Sequence, residues 1–275
     1  KGVALKNLSA GMVKKLKIPL PPLETQKQIA QTLDNAVALR DKTKQLLAEY
    51  DQLAQSIFLD MFGDSESFDH YRISEIAAKE KYSLSSGPFG SNLTSKHYRD
   101  NGVIILRGTN ITSGVLDLSD VKFVSEEKAI ELRRSALKPG DIVIVAVGSS
   151  GKALKIPKTL QRAIMSQNFN KITPDNNKIR PIYLEFCFNS QLVQNQFKKA
   201  TTDTVRTFLS LTKIKKVKIP VPPMKLQNQF AEKIALIEQQ KDLAKQELQE
   251  SEDLFQALLQ NAFRPAEKHD ESELV

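Results

Sequence analysis

The sequence predicts an α+β fold: one globular domain combined with two long α-helices that pair as an antiparallel coiled coil. Three observations predict it. The stretch from Ile219 to Phe263 repeats one that begins at Ile18. Each copy reads as a long amphipathic helix behind a proline-rich lead-in. The residues between the copies carry short apolar runs and glycine turns instead.

Ile18-Pro19-Leu20-Pro21-Pro22-Leu23 opens the first copy and Ile219-Pro220-Val221-Pro222-Pro223-Met224 the second. At a constant offset of 201, Gln26 falls on Gln227, Gln28 on Gln229, Ala30 on Ala231, Leu53 on Leu254 and Phe62 on Phe263. The basic stretches Lys14-Lys15-Leu16-Lys17 and Lys215-Lys216-Val217-Lys218 align as well. An internal duplication around a long insert accounts for this. The prolines lack an N–H and restrain the residue before them, so each copy starts extended. Beyond the prolines each copy has no Pro or internal Gly and makes a helix of roughly 60 Å.

Its apolar positions alternate by four and three: Ile29, Leu33, Ala36, Leu47, Tyr50, Ala54, Ile57 and Met61 in the first copy. The second copy supplies Phe230, Ile234, Ile237, Ala244, Leu248, Phe255, Leu258 and Ala262. This is a coiled-coil seam, interrupted by the polar Arg40, Thr43, Lys241 and Ser251. A narrow stripe on a long helix needs a partner, and the duplicate is the nearest one. Gly63 stands where a helix C-cap glycine would.

The pattern divides the chain in order. Residues 1–23 are the remnant of an upstream domain and the first lead-in; 24–63 form the first helix. Residues 64–218 form the globular domain, 219–264 the second lead-in and helix, and 265–275 a disordered acidic tail. In the insert, Val103 to Leu106 and Ile142 to Val147 read as buried strands and Val121 to Val124 as a weaker one. Ser125 caps a short helix to Leu132, Pro139-Gly140-Asp141 is a turn, and Pro181 to Ala200 is a helix with proline in its first turn.

Composition narrows the class. The chain has 275 residues and a net charge of +8, unevenly spread. Residues 1–64 carry 9 basic and 7 acidic side chains, residues 65–223 carry 25 and 14, and residues 224–275 carry 6 and 11. A basic insert beside neutral and acidic helices points to a polyanion partner. The single cysteine, Cys187, excludes an internal disulfide scaffold and suits a reducing cytoplasm. No apolar run is long enough to span a membrane.

No catalytic constellation emerges. Gly148-Ser149-Ser150-Gly151-Lys152 has Ala146 and Ala153 where a phosphate-binding loop needs Gly and Ser or Thr. It is a turn, or it offers N–H groups and Lys152 to a DNA phosphate. Gly87-Pro88-Phe89-Gly90-Ser91-Asn92 lacks the strand–loop–helix setting of a dinucleotide site. It is a tight surface loop, or one slim enough to approach DNA. His70, His97 and His269 match no metal spacing, Cys187 sits on an apolar helix, and no cofactor is expected. Side chains suited to base edges gather in loops: Arg107, Thr109 and Asn110, then Arg162, Gln167 and Asn168. Lys96, Arg99, Lys155, Lys158 and Arg206, with Lys152, suit phosphates. Each is either a DNA contact or a solvated surface residue.

The doubled Ile-Pro-Leu-Pro-Pro-Leu-x-x-Gln-x-Gln-Ile-Ala pattern before a long helix resembles the specificity subunit of type I restriction–modification systems. So do Gly87 to Ser91, then Gly102 to Ile111, then Lys138-Pro139-Gly140-Asp141-Ile142-Val143. The likeness runs along nearly the whole chain. It implies a non-catalytic DNA-recognition subunit in which target-recognition domains alternate with spacer helices. Its partners would be double-stranded DNA, adenine-specific methyltransferase subunits and the ATP-dependent restriction subunit. Only the end of a first recognition domain precedes Leu23, so the sequence resembles a truncated form. Two copies associating as a homodimer would restore two half-site readers. The rival reading is a coiled-coil adaptor whose basic domain binds protein rather than DNA.

Overall fold

A computed structural model describes residues 10–15, 20–112, 115–147, 151–160, 162–201 and 208–262. In chain order its elements are α1 (Ala10–Val13), α2 (Leu23–Phe62), β1 (His70–Arg72), α3 (Ile73–Ile76), β2 (Leu84–Ser86), β3 (Val103–Leu106), β4 (Ile111–Thr112), β5 (Val115–Leu116), β6 (Lys122–Val124) and α4 (Glu126–Glu131). Then come β7 (Ala136–Leu137), β8 (Ile142–Val145), β9 (Ala153–Lys155), β10 (Ala163–Met165), β11 (Phe169–Ile172), α5 (Pro181–Asn189), α6 (Gln191–Thr201), α7 (Leu211–Lys216), β12 (Lys218–Pro220) and α8 (Met224–Ala262). The chain divides into two compact units, Ala54–Leu236 and Lys1–Leu53 with Ile237–Val275.

The described residues of the second of these are helical in the main. Lys241 Nζ meets Asp51 Oδ1 at 2.8 Å and Lys44 Nζ meets Glu252 Oε1 at 3.4 Å. Numbering rises along one helix as it falls along the other, so the pair is antiparallel. The least exposed positions keep the three-four alternation: 33, 36, 40, 43, 47 and 50 in α2, and 241, 244, 248, 251, 255 and 258 in α8. Four of these six positions correspond between the copies at the offset of 201, so the duplication extends to burial. The most buried are mainly small, Ala36, Thr43, Ala244 and Ser251, with Ile237. The polar interruptions are absorbed in different ways. Thr43 Oγ1 donates to the Leu39 carbonyl at 3.1 Å, whereas the Ser251 hydroxyl is buried without a partner.

The globular unit contains two four-stranded sheets, ordered β6-β3-β10-β7 and β2-β11-β8-β9. All neighbours are antiparallel except β3 and β10, which run parallel. Alternate residues face opposite ways, as strand geometry requires. Leu106, Ala163 and Met165 of one sheet share a core with Val143, Val145 and Phe169 of the other. Val103, Ile105 and Ile164 turn the other way, onto Ala129 and Leu132 at α4. A polar clamp joins the sheets at one end: Lys171 Nζ donates to the Ala136 carbonyl at 2.7 Å, beside the buried Asp141. On the far face α5 packs on β8 and β9. There Asn189 bonds both the N–H and the carbonyl of Ala153 (3.1 and 2.9 Å), occupying groups that an edge strand would leave unpaired.

The two ends of the insert close on each other. β1 pairs antiparallel with β12, His70 opposite Pro220. Behind them Phe58, Phe62, Tyr183, Phe186 and Phe230 form an aromatic cluster, with ring centroids 4.9 to 5.8 Å apart. The Tyr183 hydroxyl leaves that cluster to donate to the Pro220 carbonyl at 2.9 Å.

Three local expectations change. The helix expected over Pro181 to Ala200 is broken at Ser190, which is extended (ψ 153°) and turns its hydroxyl onto the Cys187 carbonyl at 2.6 Å. A serine side chain competing for the backbone ends α5 there. Gly63 is not a left-handed cap: its φ is not positive, and a Cβ would lie 2.5 Å from the Leu59 carbonyl oxygen. The strand from Ile142 stops at Val145, after which Val147 bridges to Phe208. The expected acidic tail lies outside the described residues.

Candidate nucleic-acid interface

Strand register decides which loops meet. Ser86, Phe169, Val145 and Ala153 mark one end of the second sheet, while Leu84, Ile172, Ile142 and Lys155 mark the other. In the first sheet Leu106 and Met165 end together, and the 166–168 turn crosses from β10 to β11. The loops beginning at Gly87, Arg107, Ser166 and Ala146 therefore emerge at the same end of the two sheets. Gly87, Phe89, Gly90, Ser91, Asn92, Arg107, Thr109, Asn110, Lys152, Gln167 and Asn168 lie on them.

The first loop is built on contact with the third. The Gly87 N–H continues the ladder to the Phe169 carbonyl at 2.9 Å, and a Cβ on Gly87 would fall 1.9 Å from the Ser166 carbonyl oxygen. Pro88 is buried, and Gly90 takes the left-handed φ of +55° that side chains disfavour. A 3-10 turn over Gly90–Asn92 closes with the Asn92 N–H on the Phe89 carbonyl at 3.2 Å. Phe89 is left 63% exposed.

The second loop is held by its own polar side chains. Asn110 is buried, accepts from the Arg107 N–H at 3.0 Å and donates to the Asp117 and Asp120 carbonyls at 3.0 and 2.9 Å. The Arg107 guanidinium, 19% exposed, donates to the Asp120 carbonyl (2.7 Å) and carboxylate (2.8 Å), while its Nε is buried without a partner. Arg107, with Lys122 behind it, holds the Asp120 carboxyl below the usual carboxylate range. Thr109 is exposed beside this frame. In the third loop Gln167 is exposed and Asn168 half-buried, its Nδ2 lying 3.3 Å from where a Gly108 Cβ would be. The fourth loop is pinned by the Leu209 N–H on the Ala146 carbonyl (3.0 Å) and presents an exposed Lys152. Residues 148–150 of its glycine motif lie outside the described residues.

Other expected contacts lie elsewhere. Lys155 marks the opposite strand end, two residues and about 7 Å along β9 from Ala153. Arg162 precedes β10 at that same far end, where it pairs with Glu126. Lys96 and Arg99 are exposed beyond the β6 edge of the first sheet, where Arg99 bridges to Phe123 and donates to the Lys96 and Tyr98 carbonyls. Arg206 lies outside the described residues. Sequence reading missed Asp120, which anchors Arg107, and Phe208, which is half-exposed on the fourth loop's bridge. An aromatic in the polar run Thr207-Phe208 is the only signal that marks the latter.

Among the described residues the arrangement supplies hydrogen-bonding loops and a lysine. Burial pushes the Cys187 thiol up to about 12, which keeps it from acting as a nucleophile. Among the described residues no group of His, Cys, Asp or Glu is placed to hold a metal ion. No helix among them is long and apolar enough to cross a membrane.

Known proteins share both the sequence pattern and the fold. The chain is 25% identical to the type I restriction enzyme MjaVIII specificity subunit of Methanocaldococcus jannaschii, over 92% of this chain and 62% of that one. It is 24% identical to the EcoBI specificity subunit of Escherichia coli, over 95% and 60%. It thus spans about three-fifths of these curated relatives. The crystal structure of the type I restriction–modification S subunit from M. genitalium superposes with a TM-score of 0.55 at 21% identity, covering 97% of this chain and 68% of that one. A structure from work on complex assembly and conformational transition of the type I R-M system gives 0.53 at 17%, covering 96% and 65%. The family described as type I restriction modification DNA specificity domain matches residues 1–50 and 72–252, most of the chain, and the chain belongs to that family.

Proposed function

We propose that this chain is a sequence-specific DNA-recognition subunit that performs no chemistry itself. Its globular unit reads one half of a bipartite duplex target. The observation that carries this is the convergence of four loops at one end of the two sheets. In this reading Thr109, Gln167 and Asn168 face base edges, and Lys152 neutralises phosphates, as do Lys96 and Arg99 from the flank of the first sheet. Arg107, through one guanidinium nitrogen bonded to Asp120, and Asn110, through its amide, are tied into the loop, so they shape the reading surface. The specificity-subunit relatives support the same assignment. Duplex binding by the purified chain tests it: affinity falls steeply as salt rises, and Gln167→Ala with Asn168→Ala flattens sequence preference by roughly 1–3 kcal/mol. Salt-independent binding, or none, would exclude it.

The helical unit is proposed to dock the adenine methyltransferase subunits and, through them, the restriction subunit. Leu39, Leu46 and Leu53 recur every seven residues on α2 beside the seam and stay exposed, as does Leu254 on α8. A row of leucines flanking a two-helix seam fits further helices from a partner. Replacing Leu46 and Leu53 by Lys should abolish co-purification with the methyltransferase while leaving DNA binding intact. Pairing of two copies would supply the second half-site reader, and light scattering at micromolar concentration should then give twice the chain mass.

A further inference from the structure

Phe89 is a large apolar ring on a loop otherwise made of glycines, a buried proline and hydrogen-bonding residues, and it stands 63% exposed. At the same sheet end Val147 and Phe208 pair through a backbone bridge and are 47% and 39% exposed, so Phe89 is the most exposed apolar side chain of the three. The backbone beneath it is fixed. Gly87 is wedged against the Ser166 carbonyl, and the Asn92 N–H closes the turn on the Phe89 carbonyl. Beside it Gly90 opens onto empty space, with no atom within 4 Å of a Cβ built there. With the backbone so held, only the two side-chain torsions of Phe89 remain to be fixed when the ring meets a partner. A protein groove would match a broad apolar patch. This loop instead offers one flat ring flanked by Ser91 and Asn92, with Gln167 on the adjoining loop and Lys152 at the same end of the sheets. The complementary surface is a flat apolar gap between polar edges and anionic rails, which is a step between stacked base pairs.

We propose that Phe89 is a wedge that enters a base step and kinks the duplex, so that part of the target is read as the deformability of that step. The proposal rests on the DNA-recognition reading above. It makes Phe89 a specificity determinant without hydrogen bonds, favouring a flexible pyrimidine–purine step at a fixed place in the site.

The test selects duplexes from a random library with the full chain at low salt. It then measures end-to-end energy transfer and the fluorescence of 2-aminopurine placed along the selected site. The unsubstituted chain should kink the duplex by about 20–90° and brighten 2-aminopurine at one step. Phe89→Ala should bind roughly 10-fold more weakly, leave the duplex straight and lose the step preference, while Phe89→Leu keeps the kink. Because the side chain is exposed, both variants should keep the unfolding curve of the parent. A kink and step preference unchanged in Phe89→Ala, or a straight duplex with the parent chain, would overturn the wedge while leaving DNA recognition standing. Absence of duplex binding by the parent would remove both.

Discussion

The two copies of the duplicated stretch show how one sequence element can serve as a buried anchor in one place and a half-exposed brace in another. In both, a glutamine in the first helical turn donates to the carbonyl of the proline five residues before it: Gln26 to Pro21 and Gln227 to Pro222, each at 2.8 Å. The shared bond explains why Pro-Pro and Gln keep their spacing, since it satisfies a carbonyl at the helix start. Beyond it the environments part. Gln227 is fully buried, accepts from the Arg180 N–H at 2.7 Å and donates to the Lys178 carbonyl at 3.2 Å. Gln26 is half-buried. Phe230 sits in the aromatic cluster, whereas its counterpart Ile29 is half-buried on α2. Local geometry is a property of the motif, and the burial of Gln227 and Phe230 comes from the partners that Phe58, Phe62, Lys178, Arg180 and Phe186 supply.

Matched substitutions can break that comparison. Phe230→Ala should cost about 3–5 kcal/mol in urea unfolding, because the side chain is fully buried among Phe58, Phe62 and Phe186. Ile29→Ala should cost only about 1 kcal/mol. Equal losses would mean that the first copy is as well packed as the second. Next in size is the glutamine pair. Gln227→Ala strands the Arg180 N–H and two carbonyls and should cost about 2–3 kcal/mol, against roughly 0.5 for Gln26→Ala.

The same contrast explains how far the sequence was legible. The starts of the two long helices were readable to within a residue because the three-four period runs along both and proline marks each start. Strands such as Leu84-Ser85-Ser86 and Phe169-Asn170-Lys171-Ile172 were not. They are short, and Lys171 and Asn170 are buried yet polar, which erases the alternation that announces a strand. Their polar groups are satisfied only in three dimensions, Asn170 by the Leu209 carbonyl and Lys171 by that of Ala136. Loop residues could be chosen by chemistry but not by place. Lys152 and Lys155 are three apart in sequence, yet register sends them to opposite strand ends. Arg107 and Asn110 have base-reading chemistry, but Asp120, thirteen and ten residues on, claims it.

The seam separates the copies again. Ser251 and Tyr50 are counterparts, and the Ser251 hydroxyl is buried with no partner. Ser251→Ala should therefore stabilise the chain by about 0.5–1 kcal/mol, removing an unmet group and adding helix propensity. Thr43→Ala should not, since Thr43 loses a methyl from the seam. Destabilisation by Ser251→Ala would show that the hydroxyl has a partner.

The smallest effect falls on the ion pairs that flank that seam. Lys241 lies between Asp51 and Glu238 at 2.8 and 2.9 Å. Burial works against its charge, but the two carboxylates outweigh it and hold the ammonium above its ordinary value. A group raised in the folded state stabilises fully below its unfolded pKa of about 10.4 and loses that contribution as pH climbs through the raised value. Asp51 is largely exposed, so Asp51→Asn should cost only about 0.5 kcal/mol at pH 7 and low salt. The difference from the parent should vanish above that window. The counterpart of Asp51 is Glu252, which reaches Lys44 at 3.4 Å with both side chains near half exposure. Glu252→Gln should therefore change stability less than Asp51→Asn, and a larger loss there would mean that the first copy's charges, not Lys241, hold the helices in register.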